Sequence, residues 1–221
     1  MNPRVRWLSA GLLILACATV APRSQLDASE LVQRDFTFTV GEVPTAFSYT
    51  LTDANGSRTG SDSFSQNIGI AVGGRYSFSG PGDASGLVVG GALVADQASY
   101  QSIGHYTGYG LQLFGGYGWA ISDAWSVGAR IQAGYGLATF DIQANPAFPS
   151  VSTTGSTFSY GAALDLDYAI TEKLTVLLDL GYLTTTANLS GGGVTLKLTN
   201  SGFAGALGIA WRFSAAPRPL E

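Results

Sequence analysis

TGYGLQLFGGYGWAI, residues 107–121, alternates with a period of two over its whole length. Thr107, Tyr109, Leu111, Leu113, Gly115, Tyr117, Trp119 and Ile121 share one face; Gly108, Gly110, Gln112, Phe114, Gly116, Gly118 and Ala120 share the other. Period two marks a β-strand between two different surroundings, because successive side chains point to opposite faces. After the turn Ser122–Ala124, WSVGARIQAGYGLA (125–138) repeats the pattern. Trp125, Val127, Ile131, Tyr135 and Leu137 oppose Ser126, Gly128, Arg130, Gln132, Gly134 and Gly136.

The period spreads in both directions. Large apolar residues occupy even positions in 66–79, 158–170 and 174–184, and odd positions in 203–213. Residues 86–100 are apolar on both parities, which leaves their faces unassigned. Residues 36–51 alternate on even numbers through Phe36, Phe38 and Val40, then on odd numbers through Phe47, Tyr49 and Leu51. A bulge near Gly41–Pro44 would make them one strand; otherwise a short separate strand precedes Gly41. No helical periodicity occurs from residue 36 onward, and the segments make eight strands. Short turns near 80–85, 122–124 and 171–173 alternate with longer connections near 52–65, 144–156 and 186–196; the one near 101–105 is shorter than its class. This places the short turns at one end of the sheet and the long connections at the other.

Composition narrows the class. Charged residues are 12% of the chain, against a usual ~25%. Glycine is 30 of 221 residues, yet 46% are hydrophobic, which is neither a disordered composition nor a collagen repeat. The formal charge is −4 and lysine occurs only at 173 and 197, so a nucleic-acid partner is excluded.

A soluble barrel points its apolar face inward. That would crowd the Tyr, Trp and Phe of every strand into an interior just wide enough for side chains, and leave Gly and Ala outside. Reversing the faces puts small residues in a narrow lumen and large ones toward lipid. The outward aromatics then form two rows. Tyr76, Phe78, Tyr117, Trp119, Trp125, Tyr168, Trp211 and Phe213 lie near the short turns. Tyr49, Tyr109, Tyr135, Phe158, Tyr160, Tyr182 and Phe203 lie near the long connections. Tyr and Trp favour membrane interfaces. Tyr109 and Trp119, like Trp125 and Tyr135, are ten residues apart; at ~3.3 Å per residue and a tilt of about 40° they span about 25 Å, the height of a lipid-facing band. The expected fold is all-β, an eight-stranded antiparallel up-and-down transmembrane β-barrel over residues 36–213.

At the N-terminus, Arg4 and Arg6 precede the apolar run Trp7–Ala18, which reads as a signal peptide over residues 1–18, too short to span a bilayer. Ala16-Cys17-Ala18 offers a cleavage site; ILAC (14–17) alternatively offers a lipidation site at Cys17. Residues 19–35 read as a flexible periplasmic lead-in and 214–221 as a short periplasmic tail. The turn phrases AISDAWSV (120–127) and AITEKLTV (169–176) and the terminal GIAWRF (208–213) resemble the small eight-stranded outer-membrane β-barrel proteins, the group of the OmpA transmembrane domain, OmpX and Ail. The resemblance implies the cell outer membrane of a Gram-negative envelope. It also implies that Phe213 marks the chain for the barrel-assembly machinery, although Ser214–Glu221 follow it. The expected partners are outer-membrane lipid and that machinery, for a monomeric chain whose loop ligand is unnamed.

Five charged residues fall on inward parity: Arg75, Arg130, Asp165, Asp167 and Asp179. An isolated buried charge costs several kcal/mol, so they are expected to pair across the lumen, with Gln112 and Gln132 extending the network. Such a network either satisfies itself and fixes register or gates a narrow water path. The single histidine, His105, is read in the tight loop before 107–121. His105-Tyr106-Thr107 is loosely similar to the His-x-Ser pair of barrels that remodel lipid A, but no acid is placed to orient it and Thr107 points outward. No catalytic residue, metal site or cofactor is assigned. The expected function is a structural or cell-surface interaction role without catalysis. The alternative is a narrow pore or carrier for small or apolar solutes, gated by the Arg/Asp network. In fractionated cells the protein is expected in the outer membrane with a heat-dependent shift in gel mobility; recovery as a soluble periplasmic protein would overturn the architecture.

Overall fold

The computed structural model describes residues 30–79, 85–101, 104–143 and 150–215. Its strands are β1 (Glu30–Glu42), β2 (Ala46–Asp53), β3 (Gly56–Ser63), β4 (Gln66–Ser79), β5 (Gly86–Tyr100), β6 (Gly104–Ala120), β7 (Trp125–Ile142), β8 (Val151–Ala169), β9 (Leu174–Gly191) and β10 (Val194–Ala215). Eight of them form a closed antiparallel ring, β1-β4-β5-β6-β7-β8-β9-β10, sealed where β1 pairs with β10 from Gln33↔Ala215 to Glu42↔Gly205. The other two, β2 and β3, form a hairpin that continues the wall upward beside β10. The signal-peptide reading, with Cys17, and residues 216–221 of the tail lie outside the described residues.

Several expectations are corrected. Residues 36–51 are two strands without a bulge between them. Phe36 pairs with Trp211 and Glu42 with Gly205; beyond the break Phe47 pairs with Asn200, so no residue is inserted on either side. Pro44 has no N–H to extend the ladder. Its carbonyl instead accepts hydrogen bonds from the buried side chains of Asn67, at 2.9 Å, and Asn200. Because parity does not flip, Phe47, Tyr49 and Leu51 stay on the inner face: Phe47 is buried and Tyr49 packs against the interior, not in the upper outward row. Residues 30–35 of the expected lead-in are strand, since β1 begins at Glu30 and Asp35 already lines the lumen; residues 19–29 lie outside the described residues.

The long connections are largely strand. Residues 52–65 contain β3, reached by a tight turn in which the Asn55 N–H donates to Asp53 at 2.7 Å. Residues 151–156 belong to β8. Residues 186–196 form a hairpin closed by Gly192 (φ 59°) and Gly193 (φ 78°); two consecutive positive φ values are what a two-residue hairpin turn matching strand twist requires. His105 stands within β6, not in a loop.

The large residues point outward: Leu113 is 60% exposed, Leu164 61% and Phe203 88%. In β5 the faces are now assigned, with Val88, Gly90, Ala92, Val94, Asp96 and Ala98 inside and Leu93 outside, 69% exposed. Tyr76, Tyr117, Trp119, Trp125, Tyr168, Trp211 and Phe213 are exposed on the outer surface near the short turns, with Phe78 half-buried beside them. Leu113 lies midway between the aromatic rows, so Leu113→Arg is expected to cost about 2–4 kcal/mol of folding free energy in lipid vesicles. Denaturant titration in liposomes measures it, and Thr195→Lys, on the sheet above the band, is expected to cost little.

Candidate functional site

Inside the ring, the lower lumen is crossed by a layer of charged side chains. Arg75 on β4 donates to Asp35 on neighbouring β1 at 2.9 Å, and reaches Asp167 on β8, the opposite wall, at 2.7 Å. Arg130 on β7 pairs with Asp165 on β8 at 3.2 Å and Asp179 on β9 at 3.0 Å. Arg212 on β10 approaches Asp35 at 3.7 Å, and Gln33 donates to Asp35 at 2.5 Å. The Asp35 side chain is 1% exposed. The Arg130 guanidinium also lies 5.1 Å from the centre of the Phe114 ring on β6, a favourable cation–π arrangement. Seven strands of the ring thus reach into the layer. The eighth, β5, contributes Gly90, and a Cβ there would collide with the Phe114 ring and the Gly74 carbonyl.

All five charged residues singled out from the sequence project into this layer, in two groups, one around Arg75 and one around Arg130. Asp35, Arg212 and Phe114 complete it. Arg212 and Phe114 carried the inward-parity signal; Asp35 stands in the segment read as lead-in. Gln112 and Gln132 line a chamber of about 170 Å³ above the layer, with Ser159, Thr157 and Thr185. Asp96 lies near its top and Arg130 and Asp179 at its floor.

A second closure follows. Phe47, Phe64, Tyr106, Phe140, Leu189 and Leu198 form a buried cluster inside the upper ring. Phe47 and Phe64 rings stack 4.6 Å apart, and Phe64 meets Tyr106 at 5.8 Å. The β2–β3 hairpin brings Phe47, and Phe64 directly follows β3. The hairpin is tied down on its free side: the Tyr100 hydroxyl donates to Asp62 at 2.6 Å, and the Ser65 N–H to the Ser99 carbonyl at 2.8 Å. The Tyr100 hydroxyl and the Ser63 N–H hold the Asp62 carboxyl below its usual range.

Ser99, His105 and Asp141 are cross-strand neighbours in register on the outer face of β5, β6 and β7. Among the described residues no hydrogen bond or ion pair joins them, and no group of carboxylates, histidines or cysteines is arranged to hold a metal ion.

No protein-family model matches the sequence, and no curated protein matches it. Solved structures do. The outer membrane protein OprG from Pseudomonas aeruginosa aligns with a TM-score of 0.52 and 13% identity, over 84% of this chain and 98% of that one. Ail, the attachment invasion locus protein of Yersinia pestis, aligns at 0.39 and 17% over 82% and 99%. The outer membrane protease OmpT from Escherichia coli aligns at 0.44 and 10% over 82% and 97%. The alignment with OprG shows the fold: this chain has the architecture of the small outer-membrane β-barrels. A fold does not carry an activity.

The charge layer makes a graded expectation. Asp35 accepts from Arg75 and is the carboxylate facing Arg212 at 3.7 Å, so Asp35→Ala removes the counter-charge of both arginines on that side and is expected to destabilise by about 3–5 kcal/mol. Asp167→Asn leaves Arg75 bound to Asp35 and is expected to cost clearly less. Urea midpoints of the folded, heat-shiftable form compare the two.

Proposed function

We propose that the chain is an outer-membrane barrel with a closed lumen that acts as a single-chain surface scaffold, without catalysis. The observation that carries this reading is the double closure of the lumen beneath hairpins that rise well above the upper aromatics. The charge layer and the aromatic cluster block the axis in series, with opposite chemistry. Meanwhile β9 runs nine residues beyond Tyr182 to Gly191, a rise of about 23 Å at ~3.3 Å per residue and a tilt of about 40°. Rigid hairpins beyond a membrane band are where such a barrel meets its surroundings.

The pore reading draws support from the chamber between the two closures. It requires the charge layer to be the barrier that matters, whereas the apolar cluster above it would still exclude ions once the layer was broken. The two readings separate in planar bilayers. The unmodified protein and Arg130→Ala are both expected to give no conductance steps. Arg130→Ala combined with Phe47→Ala and Phe64→Ala is expected to give small ones. Steps from the unmodified protein, or from Arg130→Ala alone in a well-inserted preparation, would favour the gated pore and sink the scaffold reading.

The non-catalytic part of the proposal is tested at the one histidine. Mass analysis of lipid A from cells expressing the protein is expected to show the same acyl pattern for the unmodified chain, His105→Ala and an empty vector. A change that requires His105 would make the Ser99, His105 and Asp141 row an active site.

A further inference from the structure

The sheet that carries the upper aromatics continues upward as β8-β9-β10-β2-β3, and on β9 and β10 its outer face changes character within one row, while on β8 Tyr160 and Phe158 carry the aromatics up beside Thr184 and Thr186. Directly above Tyr182 and Phe203 stand Thr184 and Ser201, with Ser201 donating to Thr184 at 3.1 Å. The next row across β9, β10, β2 and β3 is Thr186, Thr199, Ser48 and Ser61, with the Thr186 and Thr199 hydroxyls 3.5 Å apart and Phe158 of β8 ending the row. The uppermost row is Thr154, Ser190, Thr195, Thr52 and Ser57, where Thr52 donates to Ser57 at 3.2 Å. Between them stand Asn188, Lys197, Thr50 and Thr59, and among the described residues Lys197 is the one charged side chain of this face.

A water-facing surface normally carries about 25–35% charged residues. This one carries hydroxyls almost alone. Each hydroxyl donates once and accepts twice, and the cross-strand pairs use only part of that capacity. The groups sit on a fixed grid, about 4.8 Å between strands and about 6.7 Å along them. The threonines are stiff at χ1, so little side-chain freedom remains to be lost on binding. Such a grid suits a ligand that is itself a chain of hydroxyls. It does not suit phosphate, which is held by arginine and lysine.

The occupant follows from continuity. The hydroxyl face is the upward extension of the lipid-facing belt, on the same strands and the same side, beginning at the upper aromatics. A molecule anchored in the lipid that flanks the belt would therefore lie against it. The geometry points to one partner: we infer that this face binds the sugar portion of the outer-leaflet glycolipid beside the barrel. The inference rests on the surface-scaffold reading and gives it a ligand class.

The test uses the folded full chain in detergent and three probes: lipid-free core oligosaccharide released from rough lipopolysaccharide, lipid A without core sugars, and dextran. The unmodified protein is expected to bind the oligosaccharide. Thr186→Val/Thr195→Val/Thr199→Val keeps β-branched shape and removes three hydroxyls, so it is expected to weaken that binding at least about tenfold. Lipid A is expected to bind both proteins alike through the belt, and dextran more weakly than the oligosaccharide. If the triple variant lacks the heat-dependent gel shift, Ser57→Ala/Ser61→Ala on β3, which has one free edge, replaces it, with about a threefold loss expected. Equal binding of oligosaccharide by variant and unmodified protein overturns the inference, as does dextran binding equal to that of the oligosaccharide. A chain that is closed in planar bilayers yet blind to the oligosaccharide loses only this inference. A chain that conducts loses the scaffold reading, whatever it binds.

Discussion

A backbone inside hydrocarbon has no water to pair with, so every N–H and C=O must find its partner within the protein. In this chain that requirement is met where β1 meets β10 and closes eight strands into a ring. Most other features follow from the closure. Once there is no edge, one face of every strand meets lipid and the other meets a narrow lumen, which is why large residues alternate with small ones and charge is scarce. The strand with a free edge, β3, lies in the hairpin above the ring, where water can satisfy its unpaired groups.

Closure also makes the lumen a place where charge is costly to leave unpaired. Arg75 bridges from β4 to the opposite wall at Asp167 and is held on the near side by Asp35, which Arg212 faces at 3.7 Å. This arrangement pins register. Because side chains alternate with period two, a one-residue slip of β4 would carry Arg75 to the lipid face and bring Tyr76 inside. The glycines opposite the layer have the complementary task. Gly90 leaves room for the Phe114 ring on which Arg130 rests, so a small residue on one strand permits a large one on the next.

How much of this the sequence disclosed depended on whether period two stayed the only signal. Across 107–138 it did, and strands, faces and turn are all as the alternation reads. The five interior charges could be placed by parity alone because each lies in a cleanly alternating segment. Asp35 could not, since the residues before Phe36 alternate with nothing and only the pairing with Arg75 and Arg212 reveals where it sits. At 36–51 the pattern misled for a physical reason. The apolar residues change parity because the inner surroundings change, from a lumen that excludes bulk to a cluster that needs it, while the strand itself stays in register. Tyr106 and Phe140 mark the same transition on β6 and β7: they continue the inward parity of Gly108 and Ala138, but with rings in place of small side chains.

That transition bears on function. A lumen filled only by an ion-paired layer is a barrier that water can weaken, because charged groups can exchange protein partners for hydration. An apolar cluster cannot be weakened that way: admitting water to it exposes Phe47, Phe64 and Phe140. Placed in series, the two barriers have no common means of opening, since what loosens one leaves the other in place. A barrel built for transport would concentrate its control in one element that a solute or a field could move. This one spreads its closure over seven strands below and a tethered hairpin above. In the scaffold reading proposed above, the axis serves rigidity and the chemistry that engages a partner lies on the outside of the wall, above the lipid.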